Sequence, residues 1–424
     1  MTSDEPKDSC SIAKQVPHQT LCVSGGQAIG SFFGRPHSFR HFMSHRLVFC
    51  IILSMRIHFL LIFLTMVSSY VLLHVYFAGW FIKVFSLLPQ TGRFLRLTLL
   101  SLAFLSPFTM FLRRHCENII CEYISFLGAL WMGIVIILAF SIASHDIIIF
   151  IAKKFSPFNH LSHSHIVALF MAILMIVFSI YSAFLTPNIR RININIHNLP
   201  ESMNNLKIVQ ISDMHIDFHY NIGQFEAIVE KINTTKPDLV LMTGDFLDPP
   251  MACNGRITKA VKNIETKFGI FAVTGNHEYY YGYKKSVECY KKLGVRLLTN
   301  EISKFDDFQI IGFNDIRTTK MTEDDIKKII NKSNKNKFSI IMSHQPRFFD
   351  MMAENINFFA LSGHTHRGQI FPFNILTKIT HKHFYGLYKI NNSYLYATSG
   401  LGSWGPKMRF LAPTEIPLIT LSKN

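Results

Sequence analysis

A chain of 424 residues that is 49% hydrophobic is too long for one ordinary domain and too apolar to be wholly soluble. Its formal net charge of +16 divides equally between residues 1–190 and residues 191–424. Such a charge suits anionic headgroups or a phosphorylated ligand, and on its own it does not choose between these and nucleic acid.

Residues 1–54 mix polar stretches with an apolar patch, whereas Met55 opens MRIHFLLIFL in the manner of a natural start. The first 54 residues therefore read as an uncertain N-terminal extension. Residues 55–190 contain four apolar stretches, Ile57–Ile82, Phe94–Leu112, Tyr123–Ile151 and Ile166–Leu185. Each is judged against the roughly 20 residues that a helix needs to cross the hydrocarbon core. Four in succession, with no Ala-x-Ala-like cleavage site, read as about four transmembrane helices rather than a signal peptide. An even number puts both termini on one side, and the basic residues between the spans weakly favour a cytoplasmic catalytic domain.

The seven cysteines are Cys10, Cys22, Cys50, Cys116, Cys121, Cys253 and Cys289, with no CxxC pair. That pattern argues against a disulfide scaffold and against a thiolate zinc site.

After Pro187 the texture changes to short apolar runs, LKIVQIS, DLVLMTG, IFAVTG, FSIIMSH and FFALSGH. They are too short for helices and rich in Val, Ile and Phe, which predicts buried strands. Gln224–Ile232, Ile257–Thr266 and Asp324–Ile330 between them are helix-like, so residues 200–424 are expected to form a layered α/β domain. Every polar motif directly follows a strand, and in open α/β sheets ligand sites gather at the carboxyl ends of strands.

Those motifs are Asp213-Met214-His215, Gly244-Asp245-Phe246-Leu247-Asp248, Gly275-Asn276-His277-Glu278, Ser343-His344 and Gly363-His364-Thr365-His366. Each alone is weak, since a histidine after a strand is more often a surface or core residue than a ligand. Two divalent metals held close together need a bridging carboxylate with nitrogen and oxygen donors on either side, and the ordered set supplies that inventory. On an extended segment His364 and His366, two apart, would point the same way and address two neighbouring metals.

The ordered set resembles the calcineurin-like metallophosphoesterase family, with D-x-H, G-D-x-x-D, G-N-H-D/E, H and G-H-x-H complete over about residues 205–422. The resemblance implies a two-sheet α/β sandwich, which would follow the N-terminal transmembrane region read from the apolar stretches. It implies two divalent metal ions, manganese first and iron or zinc next, with Asp213, His215 and His366 on one, Asn276, His344 and His364 on the other, and Asp245 bridging. His277 would face the scissile phosphate together with Asn276, and Asp248 would orient and polarise His277 as its catalytic partner.

Three tracts, Leu361–Phe373, Ser343–Pro346 and Thr398–Leu421, are similar to a membrane-associated subgroup of the family. Arg367 and Glu278 depart from the common pattern without removing a ligand, and Arg367 is a candidate to fork onto a substrate phosphate. Asp217, His219, His381 and His383 fall outside the pattern and read as bystanders. Tyr279, Tyr280, Tyr281 and Tyr283 cluster after His277, where aromatic faces would stack on a base or meet acyl chains.

The expected reaction is hydrolysis of a phosphate ester or pyrophosphate, with a lipid-linked substrate taken at the membrane. UDP-2,3-diacylglucosamine of lipid A synthesis is the leading candidate, which would place the chain in a bacterial inner membrane. A broader phosphodiesterase acting on phospholipid, cyclic nucleotide or cell-wall polymer is the first alternative. A non-catalytic membrane scaffold is the second, although no ligand is lost. Nucleic acid is not an expected partner of a permanently anchored domain, and the sequence does not define an oligomeric state.

Overall fold

The computed structural model describes residues 37–424 except 117, 156–162, 218, 249–252 and 254. Most of the expected extension over residues 1–54 therefore lies outside the described residues. The described residues fall into two units, residues 37–67, which are helical throughout, and residues 68–424.

Four long helices come first: α1 (His37–Val84), α2 (Pro89–His115), α3 (Ile119–Phe155) and α4 (Ser164–Ala183). Among the described residues, Leu60–Val84 of α1, all of α3 and all of α4 are long and apolar enough to cross a membrane, which makes three candidate spans. The fourth expected stretch, Phe94–Leu112, is helical as part of α2 but is not among them. The Met110 side chain within it lies outside the described residues, so the count of three does not test this stretch. Pro89 opens α2 at a position where its missing N–H costs nothing. Phe77, Trp80, Leu99, Val135 and Ile142 pack into a buried cluster that joins α1, α2 and α3 within the second unit.

Strands β1 (Asn188–Ile196), β2 (Leu206–Ile211), β3 (Leu239–Met242), β4 (Ile270–Ala272) and β5 (Arg296–Leu297) belong to one sheet. A second contains β6 (Glu301–Lys304), β7 (Phe308–Gly312), β8 (Phe338–Met342), β9 (Phe358–Ser362), β10 (Gly386–Ile390) and β11 (Ser393–Ala397). The last strand, β12 (Glu415–Lys423), returns to the first sheet between β1 and β2. The interleaved helices are α5 (Ile222–Thr234), α6 (Gly255–Lys262), α7 (Asn276–Tyr281), α8 (Tyr283–Leu293), α9 (Glu323–Ile330), α10 (Phe349–Ala353) and α11 (Phe373–Thr380).

The strand runs read from the sequence are β2, β3, β4, β8 and β9. They are apolar on both faces because each sheet is covered twice. Ile208, Leu241, Val273, Ile310, Ile340, Phe359 and Leu361 fill the space between the sheets. Outside the first sheet lie Phe225 and Ile228 of α5, Ile257 and Val261 of α6 and Leu293 of α8. Outside the second lie Ile326 and Ile330 of α9 with Phe349 and Met352 of α10. Local chemistry fixes the helix starts: Asn221 Oδ1 accepts from the Gly223 N–H before α5, and Thr322 with Asp325 forms a capping box at α9.

The consequence for function is directional. β2, β3 and β4 run parallel, as do β8 and β9, so their carboxyl ends open along one edge of the sandwich.

The same domain rests on the membrane helices. His219 Nε2 lies 3.0 Å from the Glu122 carbonyl of α3, with its ring against Tyr123 and Phe126. The Arg409 N–H donates to the Ser179 carbonyl of α4 at 2.7 Å. His219, read as a bystander, is thus a docking residue.

The cysteine expectation is corrected. Cys116 pairs with Cys121 and Cys253 with Cys289 as disulfides. The first pair brackets the short turn between α2 and α3. The second is separated by 36 residues and meets only because α6 and α8 cover the same sheet, so spacing carried no sign of it.

Candidate metal centre

Turns leaving β2, β3, β4, β8 and β9 carry all the candidate site residues to one pocket, where most are buried. Asp213, His215, Asp245, His364 and His366 have positive φ, between 47° and 70°. L-residues enter this left-handed region at a cost, and such strain concentrates at functional sites. The pair His364 and His366 therefore does not lie on an extended segment, as the two-residue spacing suggested. A tight turn presents them, with a short 3₁₀ segment at His366–Gly368.

Asp213, His215 and His366 each offer a ligand atom within 4.8 Å of one another, and so do Asp245, His344 and His364. His215, Asp245 and His277 form a third such group between them. Asp245 Oδ2 is the common point, 3.1 Å from His344 Nε2, 3.8 Å from His215 Nε2 and 4.0 Å from His277 Nε2. A carboxylate placed so can serve two cations at once.

Ring orientation favours metal binding. The Thr243 carbonyl can only accept, so His344 Nδ1, 2.8 Å away, donates to it and leaves Nε2 facing Asp245. His215 Nδ1 faces Asp248 Oδ1 at 3.0 Å, leaving Nε2 toward His366 Nε2 at 3.0 Å. Fixing one ring nitrogen to aim the other is the usual support of a metal-bound imidazole.

Asn276 supplies an independent observation, because its Oδ1 is buried with no hydrogen-bond partner. A buried amide oxygen without a donor loses free energy unless something electropositive meets it, and this one opens α7 beside Asp245. The donor set, four imidazoles and two carboxylates with an amide oxygen, fits two divalent ions of the first transition row.

Charge balance points the same way. Burial drives His366 well below its ordinary pKa, and burial followed by His344 lowers His364 to about 3, so both rings are neutral. Burial opposes the charge on His344, yet Asp245 and then Asp213 outweigh it and raise it to about 10. The carboxylates therefore hold a positive charge in the position that a cation would take over, releasing a proton.

His277 sits beside these groups with Nδ1 2.5 Å from Asp248 Oδ1. Burial disfavours its charge, but Asp248 wins and raises its pKa to about 9. Asp248 thus does more than orient His277: the same oxygen contacts His215, tying the candidate acid to a candidate ligand. The ring of Tyr280 lies 5.1 Å from that of His277, and Trp404 lies 6.2 Å away. Arg367 is on the rim with its guanidinium 4.4 Å over the Tyr385 ring.

Two glycines are required by close approach. A Cβ on Gly275 would collide with Asp245, and one on Gly363 with Asp213 and Ser212. Both bring backbone against a carboxylate of the centre.

The supports of the site were less legible in the sequence, where Glu278 reads only as a departure from the family pattern and Asp217 as a bystander. Glu278 is buried and accepts from the N–H groups of Gly275, Asp245 and Phe246 at 2.7, 3.0 and 2.9 Å, locking the turn after β3 to the turn after β4. Arg409, 1% exposed, donates from Nη1 to the His366 carbonyl at 3.1 Å and from Nη2 to His366 Nδ1 at 3.0 Å. Lys407 pairs with Asp217 at 3.3 Å and reaches the His215 carbonyl. No local spacing signals these supports, because the contacts cross far stretches of chain.

The geometry separates two roles by experiment. His277→Ala is expected to lower kcat by about 100-fold or more while leaving bound metal unchanged, because a general acid typically contributes 10²–10⁴. Asp248→Asn is expected to lower both, since a group that orients a metal-binding imidazole typically carries about 10- to 100-fold in metal affinity. Metal content by mass spectrometry beside steady-state rates reads both, and equal metal loss in the two variants would contradict the assignment.

Residues 206–368 match the family model of the calcineurin-like phosphoesterases. The chain is 34% identical to an uncharacterized metallophosphoesterase of Helicobacter pylori, over 57% of this chain and 65% of that one. It is 32% identical to one of Campylobacter jejuni, over 59% and 67%. A transmembrane protein with a metallophosphoesterase domain from Danio rerio is 27% identical over 61% and 62%. The chain thus spans about two thirds of the length of these relatives. With its motifs, its sandwich and its ligand groups in agreement, the chain belongs to the calcineurin-like metallophosphoesterase family.

Proposed function

We propose that the chain is a membrane-anchored, metal-dependent hydrolase of phosphate ester or pyrophosphate bonds. The observation that carries this reading is the meeting of two ligand groups at Asp245 with the His277–Asp248 pair beside them. Asp213, His215 and His366 would hold one ion, Asn276, His344 and His364 the other, and Asp245 both. Bound there, two divalent ions supply Lewis acidity at the phosphoryl oxygens and a water activated near neutral pH.

The chain's own residues do the rest. His277, with its pKa raised to about 9, carries a proton near neutrality and can deliver it from Nε2 to a leaving oxygen. Asp248 holds the ring for that delivery and stabilises its charge. Tyr280 and Trp404 wall the approach to His277, and Arg367 on the rim is placed to meet a second phosphate. Manganese is the metal to supply first.

A lipid-linked substrate is the class we favour, because the domain is docked directly on α3 and α4. UDP-2,3-diacylglucosamine is one candidate, and a broader phosphodiesterase activity on phospholipid, cyclic nucleotide or cell-wall polymer is the alternative. The disulfides bear on which side of the membrane the domain faces. The turn holding Cys116 and Cys121 is separated from the catalytic domain holding Cys253 and Cys289 by two candidate spans, α3 and α4. Two crossings return the chain to the same side, so both disulfides share one compartment. Disulfides persist where the surroundings are oxidising, which supports an extracytoplasmic catalytic domain over the cytoplasmic one that charge weakly indicated.

Detergent-purified chain with Mn²⁺ is expected to hydrolyse bis-p-nitrophenyl phosphate and to lose that activity with a chelator. Release of UMP from UDP-2,3-diacylglucosamine would select the nucleotide lipid, whereas turnover of the diester alone would set it aside. No metal-dependent hydrolysis of either would contradict the proposal. For sidedness, Lys284→Cys on the exposed face of α8 is expected to react with a membrane-impermeant maleimide in intact cells. Labelling only after lysis would return the domain to the cytoplasm.

A further inference from the structure

Helix α11 leaves the metal loop almost at once, beginning five residues after the last turn residue Gly368, and none of its eight residues is buried. Phe373, Ile375, Leu376 and Ile379 are 44%, 52%, 53% and 77% exposed. At 3.6 residues per turn these four share one contiguous arc of roughly 160°. Asn374, whose backbone packs against Gly368, lies on the other side with Lys378. An amphipathic helix has therefore turned its polar side to the domain and its apolar side outward.

Two further exposed apolar side chains adjoin it. Trp404, 52% exposed, is tied to the loop before α11 by Gln369, whose Nε2 donates to the Trp404 carbonyl at 2.8 Å and whose Oε1 accepts from its N–H at 2.9 Å. Leu411, 54% exposed, follows Phe410, whose carbonyl accepts from the Phe371 N–H at 3.1 Å. A scattered apolar residue on a surface needs no explanation, but a contiguous set of six does.

What covers this surface is indicated by what it adjoins. Phe371 packs edge-on to Phe140 of α3 at 4.7 Å, and Phe410 packs on Phe178 of α4 at 6.3 Å. Ile370 and Met408 form one buried cluster with Ile137 of α3. The segments that flank α11 thus lie along the middle of a helix long enough to span a membrane, and Phe170, Val177 and Phe178 on neighbouring α4 are themselves 58%, 58% and 53% exposed. The outward face of α11 continues the lipid-facing surface of these spans.

We propose that α11, with Leu411, is seated in the acyl-chain layer of the bilayer that α3 and α4 cross, with Trp404 at its headgroup boundary. The partner of this face is lipid, and the metal loop from which α11 departs stands at headgroup level. The basic Lys378 on the opposite arc is positioned for anionic headgroups. This seating stands whether or not the chain hydrolyses a phosphate ester. If it does, the substrates in reach are those whose phosphate lies at the membrane surface.

The test is a spin label at position 379, introduced as Ile379→Cys in the full chain with Cys10, Cys22 and Cys50 replaced by serine. The protein is reconstituted in vesicles of phosphatidylcholine and phosphatidylglycerol. Labels through Phe170→Cys on α4 and Lys284→Cys on α8 give the lipid and water references. The label at 379 is expected to match the one at 170, relaxed by oxygen and shielded from a water-soluble nickel chelate. Nickel access equal to that at 284 would overturn the proposal. Shielding from both reagents with spin–spin broadening would overturn it in favour of a second copy on this face. Leu376→Cys repeats the measurement one turn away, so that a local disturbance at a single position cannot decide it.

Discussion

Asp213, Asp245 and Asp248 lie buried in one pocket among five imidazoles, those of His215, His277, His344, His364 and His366. Carboxylates taken out of water lose several kcal/mol each unless positive charge and donated hydrogen bonds meet them. Without metal the demand is met only in part, by protons on His277 and His344 and by N–H groups of the turns. Two cations between these groups would meet it fully. The left-handed turns, the bare backbone at Gly275 and Gly363 and the Glu278 clamp are all devices that keep the carboxylates at that density.

The same constraint explains why the centre is tied to the membrane helices. Arg409 is buried beside His366 and would repel a cation were its own charge not dispersed. It spreads five donors over the carbonyls of Gly402, His366, Ser399 and Ala412 and over His366 Nδ1. Its backbone N–H meanwhile bonds to Ser179 on α4. One residue thereby connects a candidate ligand to a candidate span, and rigid docking of the domain follows without any long linker after α4.

Much of this was legible in the sequence, and for identifiable reasons. Strands β2, β3, β4, β8 and β9 announce themselves as apolar runs, and a motif directly after such a run must sit at a strand end. Helices α5, α6 and α9 followed from their periodicity within a few residues at either end. The Cys253–Cys289 pair, the Glu278 clamp, the double use of Asp248 and the support from Arg409 were not legible. Each is a contact between distant segments, and no local spacing encodes it. The spacing of His364 and His366 suggested the right partners for the wrong reason, since a left-handed turn rather than an extended strand presents them. For α11 the sequence FNILTKIT is short and surrounded by polar residues, so only its placement against α3 and α4 gives its exposed face a meaning.

Metal stoichiometry tests the central claim most directly. A crystal of the Mn²⁺-loaded chain, measured with anomalous scattering at the manganese edge, should show two peaks. One is predicted among Asp213, His215 and His366, the other among Asn276, His344 and His364, with Asp245 between them. A single peak, or peaks away from Asp245, would contradict the account of the buried carboxylates as a two-cation site.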